Sequence, residues 1–302
     1  MRDCSVEFLG KRLKNPVTCA SGTFGSGIEY SEFVDLNRLG AITTKGVSVV
    51  PWEGNPTPRV AETPSGMMNA IGLQNPGVDV FIERDLKFLS AFDVPVIVNV
   101  CGHSVEEYAA AVERLSNEEG VFALEINVSC PNVKEGGIAF GTRPEALIEV
   151  TREVKKVSSK PVIMKLSPNV TSIADMAAAA EQGGADAISL INTFTAMKID
   201  IYRKKFVLAN KTGGLSGPAI HPIALRMVYV ASKAVKIPII GMGGVANAGD
   251  AIEMIMAGAD IVAVGMMNFH EPESMIRVIE GIESFMEETG VESLSEIKGC
   301  MH

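Results

Sequence analysis

The sequence predicts a (β/α)8 TIM barrel, and three observations carry that expectation. Short β-rich apolar runs occur eight times along the 302 residues. Segments of helical period lie between most of them, the alternation that builds a parallel sheet with helices on its faces. The competing open, doubly wound sheet ordinarily carries G-x-G-x-x-G after its first strand. Here that place is held by Ser21-Gly22-Thr23-Phe24-Gly25, which does not match.

The chain opens on a strand-turn-strand pattern around Gly10-Lys11, expected to form a hairpin over the barrel floor. Strands are expected at 17–20, 41–44, 94–98, 123–128, 161–166, 187–191, 237–242 and 261–264. Ser104-Val105-Glu106-Glu107 has the form of a capping box, opening a helix that runs to about Leu115. Helical periodicity also marks 143–157, 172–182, 222–235 and 248–257. Gly183-Gly184 and Gly258 stand where helix stops belong. Two connections are long: 47–93 after the second strand, and 192–221 after the sixth. The second carries Lys198, Arg203, Lys204, Lys205 and Lys211. Loops of this length in a compact domain are usually functional or disordered.

Composition narrows the classes. With 47% hydrophobic and 21% charged residues, the chain suits one large domain or two small ones, and the barrel pattern makes it a single domain over 1–302. A body of that size buries roughly three quarters of its unfolded surface and needs no staples. Five scattered cysteines form no disulfide framework and fit a reducing cytoplasm. No C-x-x-C pair is present, so no metal or cluster site is expected. A net charge of -9 opposes nucleic-acid binding. Met1-Arg2-Asp3-Cys4 begins no apolar signal region. No uninterrupted apolar run reaches the roughly 18 residues of a membrane span.

Chemistry gathers at the expected strand ends: Ser21-Gly22, Lys45-Gly46, Asn99, Asn127 to Asn132, Lys165, Asn192-Thr193, Gly243-Gly244 and Gly265-Met266. In a barrel all of these converge on one face. Turn preference alone accounts for asparagine and glycine there. It does not account for Lys45 and Lys165, each directly after an aliphatic or β-branched run, where a lysine must find an anion or lose its charge. Gly241-Met242-Gly243-Gly244-Val245, followed by Asn247-Ala248-Gly249-Asp250, has the form of a phosphate cradle. Gly265-Met266 would complete it, since the loops after strands seven and eight form the usual phosphate site of barrels.

Cys130 is the most pointed candidate. Pro131 ends the strand behind it and keeps it out of helical geometry. That leaves a thiol on a turn, between Ser129 and flanking asparagines, as a proton-transfer group facing a planar polar substrate. Free cysteines are mostly small core hydrophobes, a description expected to fit Cys19 and Cys101. Cys4 and Cys300 look incidental near the termini. No histidine falls at a strand tip, so none is assigned as general base; His221 is expected to open a helix.

Five motifs together resemble the class 1 dihydroorotate dehydrogenases, in particular their NAD-linked 1B branch. They are ASGTFG at 20–25, TTKGV at 43–47, NAIGLQNPG at 69–77, NVSCPNVKEGG at 127–137 and GMGGV at 241–245. The resemblance implies an FMN on the open face. Its phosphate would lie at Gly217, Gly243, Gly244, Gly265 and Met266. Its ring would lie at Ser21, Lys45, Gly46, Asn99, Asn127, Lys165 and Ile191. Dihydroorotate or orotate would be held by Lys45, Asn69, Ala70, Ile71, Gly72, Leu73, Asn127, Asn192 and Thr193. Cys130, as thiolate, would take the C5 proton, and Lys165 would balance charge growing on the flavin. The resemblance further implies a partner subunit carrying FAD and a [2Fe–2S] cluster, in a heterotetramer that passes electrons to NAD. Alternatives are a fumarate-linked class 1A enzyme, another FMN barrel acting on a dihydropyrimidine, and a flavin-free barrel acting on a phosphorylated metabolite.

Overall fold

The computed structural model describes residues 2–128 and 140–302. The chain opens with β1 (Val6–Phe8) and β2 (Lys11–Leu13), paired antiparallel. Leu9 and Gly10 between them both have positive φ, at 51° and 76°. That is the conformation a two-residue turn needs to match the twist of its strands. Six further strands follow in the first half of the chain: β3 (Val17–Cys19), β4 (Ile42–Thr43), β5 (Val60–Thr63), β6 (Gly66–Asn69), β7 (Val96–Val100) and β8 (Ala123–Asn127). Helix α1 (Val105–Ser116) lies between β7 and β8, and α2 (Pro144–Val157) follows β8. Next come β9 (Val162–Lys165), α3 (Ile173–Gly183), β10 (Ala187–Leu190), β11 (Phe194–Met197), β12 (Ile199–Asp200), β13 (Lys205–Phe206) and β14 (Thr212–Ser216). The chain finishes with α4 (His221–Ser232), β15 (Ile239–Met242), α5 (Ala248–Met256), β16 (Ile261–Val264) and α6 (Ser274–Thr289).

Eight parallel strands form the barrel in the order β3-β16-β15-β10-β9-β8-β7-β4. All eight coincide with the runs expected from sequence, to within two residues at each end. The two ends of this sheet, β3 and β4, are joined at a seam. Thr18 Oγ1 lies 3.2 Å from Thr43 Oγ1, Cys19 Sγ donates to the Thr43 carbonyl, and Gly40 N donates to the Val17 carbonyl.

Side-chain alternation fills the cylinder in layers. Ile97, Ala123, Ile163 and Ala187 pack at the floor with Phe8 and Leu13 of the hairpin. Each large aliphatic or aromatic side chain removed from water there contributes about 1.5–3 kcal/mol. Two residues further along the same four strands stand Asn99, Glu125, Lys165 and Ser189, all buried. The intervening Val98, Leu124, Met164 and Ile188 face the helices. The barrel is thus apolar below and polar above, and the polar end is the strands' carboxyl end.

The helices start where capping chemistry permits. Ser104 Oγ accepts from Glu107 N, but Glu107 Oε2 accepts from His103 N, one residue before the position a reciprocal box would use. Asn247 and Asp250 do form a complete box at α5. Gly184 closes α3 in the left-handed region, at φ 95°.

The two long connections do not stay irregular. They pair with each other in an antiparallel sheet of order β11-β14-β6-β5, set over the polar end of the barrel. The first also contains a helical stretch over 78–89 that buries Val78, Phe81, Leu86 and Leu89. Neither that stretch nor α6 is among the helices expected from sequence. Among the described residues, no helix is long and apolar enough to cross a membrane.

Candidate active site

A cavity of about 730 Å³ opens where the strand ends meet the second sheet. That volume lies within the roughly 300–1,000 Å³ of small-molecule and cofactor sites. Ser21, Lys45, Gly46, Asn99, Asn127, Lys165 and Ile191 line it from the barrel. Asn69, Ile71, Gly72 and Leu73 line it from the first long connection, Asn192 and Thr193 from the second. Gly217, Gly243, Gly244, Gly265 and Met266 lie along it as well. Nearly every residue singled out from sequence therefore faces one space. Ala70 is the exception among the described residues: it is 1% exposed and packs with Ala61, Met68 and Leu208. Alternation along the chain after β6 turns its side chain from the cavity while Asn69 and Ile71 face in. Cys130 lies outside the described residues.

Lys165 is anchored at the cavity's base. Its Nζ donates to Ser21 Oγ at 2.9 Å and to Glu125 Oε1 at 3.3 Å. The same carboxylate oxygen accepts from Asn99 Nδ2 at 2.6 Å. Asn127 Nδ2 reaches Asn99 Oδ1, and Asn192 Nδ2 reaches Asn127 Oδ1, each at 3.4 Å. Tyr108, on α1, donates to the Asn127 carbonyl at 2.8 Å and fixes the end of β8. These contacts set the asparagine amides in a defined orientation. A buried polar chain of this kind is rigid because each member's loss strands another.

Glu125 was not singled out from sequence. It sits inside an apolar run, yet it shares the inward parity of Ala123 and Asn127, and that alternation was the available signal. It is the anion that a lysine at such depth requires. Its second oxygen, Oε2, is buried without a hydrogen-bond partner, as is Ser189 Oγ. Ser216, Met67 and Gln74 also line the cavity and were missed; Ser216 and Met67 belong to the sheet built from the two long connections, and Gln74 to the segment that follows β6.

The glycine cluster has the character of an anion cradle. Among the described residues, the backbone N–H groups of Gly244, Gly265 and Met266 have no hydrogen-bond partner. Orphan backbone donors are rare unless water or a ligand meets them. Gly243, at φ 127°, would set a Cβ 2.5 Å from Ala224 Cβ, and Gly217, at φ 108°, would set one 2.6 Å from Gly66 Cα. Only glycine lets the backbone run this close. The donors, the room and the neighbouring lysine suit an organic phosphate with a flat polar ring system.

Among the described residues, three cysteines, Cys4, Cys19 and Cys101, are buried, and Cys300 is exposed. Cys19 and Cys101 are fully buried, as expected. Cys4, read as incidental near the start of the chain, is buried too. Burial pushes the Cys19 thiol up to about 12 and the Cys4 thiol to about 11.

The family model for dihydroorotate dehydrogenase matches residues 4–286. The chain belongs to the dihydroorotate dehydrogenase family. It is 65% identical over 297 residues to the catalytic subunit of dihydroorotate dehydrogenase B (NAD(+)) from Lachnoclostridium phytofermentans, covering 98% of this chain and 99% of that one. The corresponding subunit from Alkaliphilus oremlandii is 56% identical over 298 residues, covering 99% and 98%. Within the dihydroorotate dehydrogenases the chain therefore groups with the NAD-linked B-type catalytic subunits. A crystal structure of the Eimeria tenella enzyme in complex with ferulenol superimposes with a TM-score of 0.83 at 21% identity, covering 98% of this chain and 88% of that one. At that identity the match speaks for the fold.

Proposed function

We propose that this chain oxidises (S)-dihydroorotate to orotate in pyrimidine synthesis, as the FMN-bearing subunit of an NAD-linked enzyme. Electrons would leave through a partner subunit carrying FAD and a [2Fe–2S] cluster, two of each subunit forming a heterotetramer. The observation that carries the reading is the meeting of a buried, ion-paired lysine and three unpartnered backbone donors in one cavity. Bound there, the flavin would supply the acceptor for the substrate's C6 hydride.

This chain's own residues supply the rest. Gly244, Gly265 and Met266 would donate to the phosphate, with Gly217 and Gly243 giving it room. Ser21, Gly46, Asn99, Asn127 and Ile191 would border the ring. Lys165, already positioned by Glu125 and Ser21, would set its positive charge beside the ring's pyrimidine edge, where negative charge develops. Lys45, Asn69, Asn127, Asn192 and Thr193 would hold the substrate's carboxylate and imide edge, since asparagine offers a paired donor and acceptor. Ile71, Gly72 and Leu73 would close the substrate side. Cys130, as thiolate, would remove the C5 proton from the face opposite the flavin, within hydrogen-bond reach of about 3 Å.

Anaerobic mixing of the purified chain with dihydroorotate tests the reading. Bleaching of the oxidised flavin absorbance is expected. A chain that takes up no FMN, or a flavin that stays oxidised, overturns it.

A further inference from the structure

His221 does not line the cavity, yet its ring meets the peptide that carries one of the cavity's donors. Its ring is buried at the start of α4. Nδ1 stands 3.1 Å from the Gly243 carbonyl oxygen. A carbonyl only accepts, so the proton is on Nδ1 and the imidazole donates. On its far side, Nε2 stands 3.0 Å from Glu253 Oε2 and 3.9 Å from Asp250 Oδ1, both acceptors, so it too donates when the ring carries its second proton, and the ring is then held on both sides. The Gly243–Gly244 peptide is trans, the cis bonds being at Thr57-Pro58 and Leu190-Ile191. In a planar trans peptide the C=O and the following N–H point in opposite directions. With the Gly243 carbonyl turned toward His221, the Gly244 N–H is turned away from it, toward the cavity. That N–H has no partner among the described residues. The Gly243-Gly244 turn runs close against the start of α4, for a Cβ on Gly244 would sit 2.7 Å from His221 N and 2.8 Å from the Gly217 carbonyl oxygen.

We propose that His221 is a positioning residue for the cofactor's phosphate. By tethering the Gly243 carbonyl it aims the Gly244 N–H at the anion, and so lets the protein distinguish a flavin phosphate from the bare flavin. The proposal rests on the FMN reading above. Without the tether the peptide can rotate, and a charge-assisted hydrogen bond to phosphate is lost. Such bonds correspond to about 10- to 100-fold in affinity. The isoalloxazine contacts are elsewhere in the cavity and stay as they are.

The test is a titration of the flavin-stripped full-length chain with FMN and with riboflavin, read by flavin fluorescence. The wild-type chain is expected to prefer FMN. His221→Leu is expected to lower FMN affinity about 10- to 100-fold while leaving riboflavin affinity in place, so that the ratio collapses. His221→Asn, whose amide N–H stands near the Nδ1 position, is expected to restore most of the ratio. Equal losses for both flavins in His221→Leu would mark a merely structural role and overturn the proposal, as would an unchanged ratio. Should His221→Leu fail to fold, Glu253→Ala frees the far side of the ring at a side chain 56% exposed. There the ratio is expected to fall about threefold or more, and no change overturns the proposal. A wild-type chain that binds the two flavins equally refutes the phosphate cradle itself, and the role of His221 with it.

Discussion

Replacing Glu125 with alanine removes the carboxylate beneath Lys165, and the structure sets the size of the effect. Nζ lies 3.3 Å from Oε1, with Lys165 3% and Glu125 0% exposed. At an effective dielectric of about 20, two unit charges at that separation attract by about 5 kcal/mol. Asn99 Nδ2 loses its acceptor in the same variant, at a cost of about 1–3 kcal/mol. Part of this is offset because Glu125 no longer has to be desolvated. The net expectation is a destabilisation of about 3–5 kcal/mol, typical of stranding one partner of a buried pair. Lys165→Met should cost a similar amount, since it strands the carboxylate. The double variant Glu125→Leu/Lys165→Met should cost less than the two single changes together. Urea unfolding followed by circular dichroism, with Trp52 fluorescence as the second probe, measures all three. A Glu125→Ala shift within about 0.5 kcal/mol, the range of a surface substitution, would refute the pair's role. So would strict additivity in the double variant.

Three more outcomes are expected. Gly243→Ala forces a Cβ to 2.5 Å from Ala224 Cβ at φ 127°, whereas Gly265→Ala meets only Ala20 Cβ at 3.6 Å; thermal melting and flavin content should both fall further in the first variant than in the second. Cys19, pushed up to about 12 by burial from an ordinary 9.0, adds stability that is complete below pH 9 and lost as pH rises toward about 12; the urea midpoint should fall more steeply between pH 9 and 11 in the wild type than in Cys19→Ala. If Cys130 is the base, the rate of flavin reduction by dihydroorotate should rise with pH until the thiol ionises and then level, and Cys130→Ser should slow it sharply; stopped-flow traces that do not change with pH would count against the assignment.

Much of the fold was legible in the sequence for a definite reason. Barrel strands such as Ala123–Asn127 and Val162–Lys165 are buried on both faces, so they read as dense apolar runs whatever their partners. The strand-end residues were legible because parallel topology sends every carboxyl end to one side. What escaped depends on contacts between distant segments. Gly66–Asn69 and Thr212–Ser216 are short, glycine-bearing strands with no clear alternation. Each pairs with the other as well as with a neighbour in its own connection, and neither signals the long-range pairing alone. Glu125 was hidden by its apolar neighbours, and its partner Lys165 is separated from it by 40 residues. His221 was read correctly as a helix start, but its link to Gly243 crosses from one β/α unit to the next, and local pattern does not report that.

The second sheet carries a consequence for how the molecule comes into being. Asn69 and Thr193 share one chamber only because an early excursion of the polypeptide and a late one zip together outside the barrel. A growing chain can stack its first β/α units well before the later excursion leaves the ribosome, and the chamber does not yet exist. Capacity to bind is therefore acquired late in synthesis. A break in either excursion would leave a folded cylinder with nothing to close over what it is meant to hold.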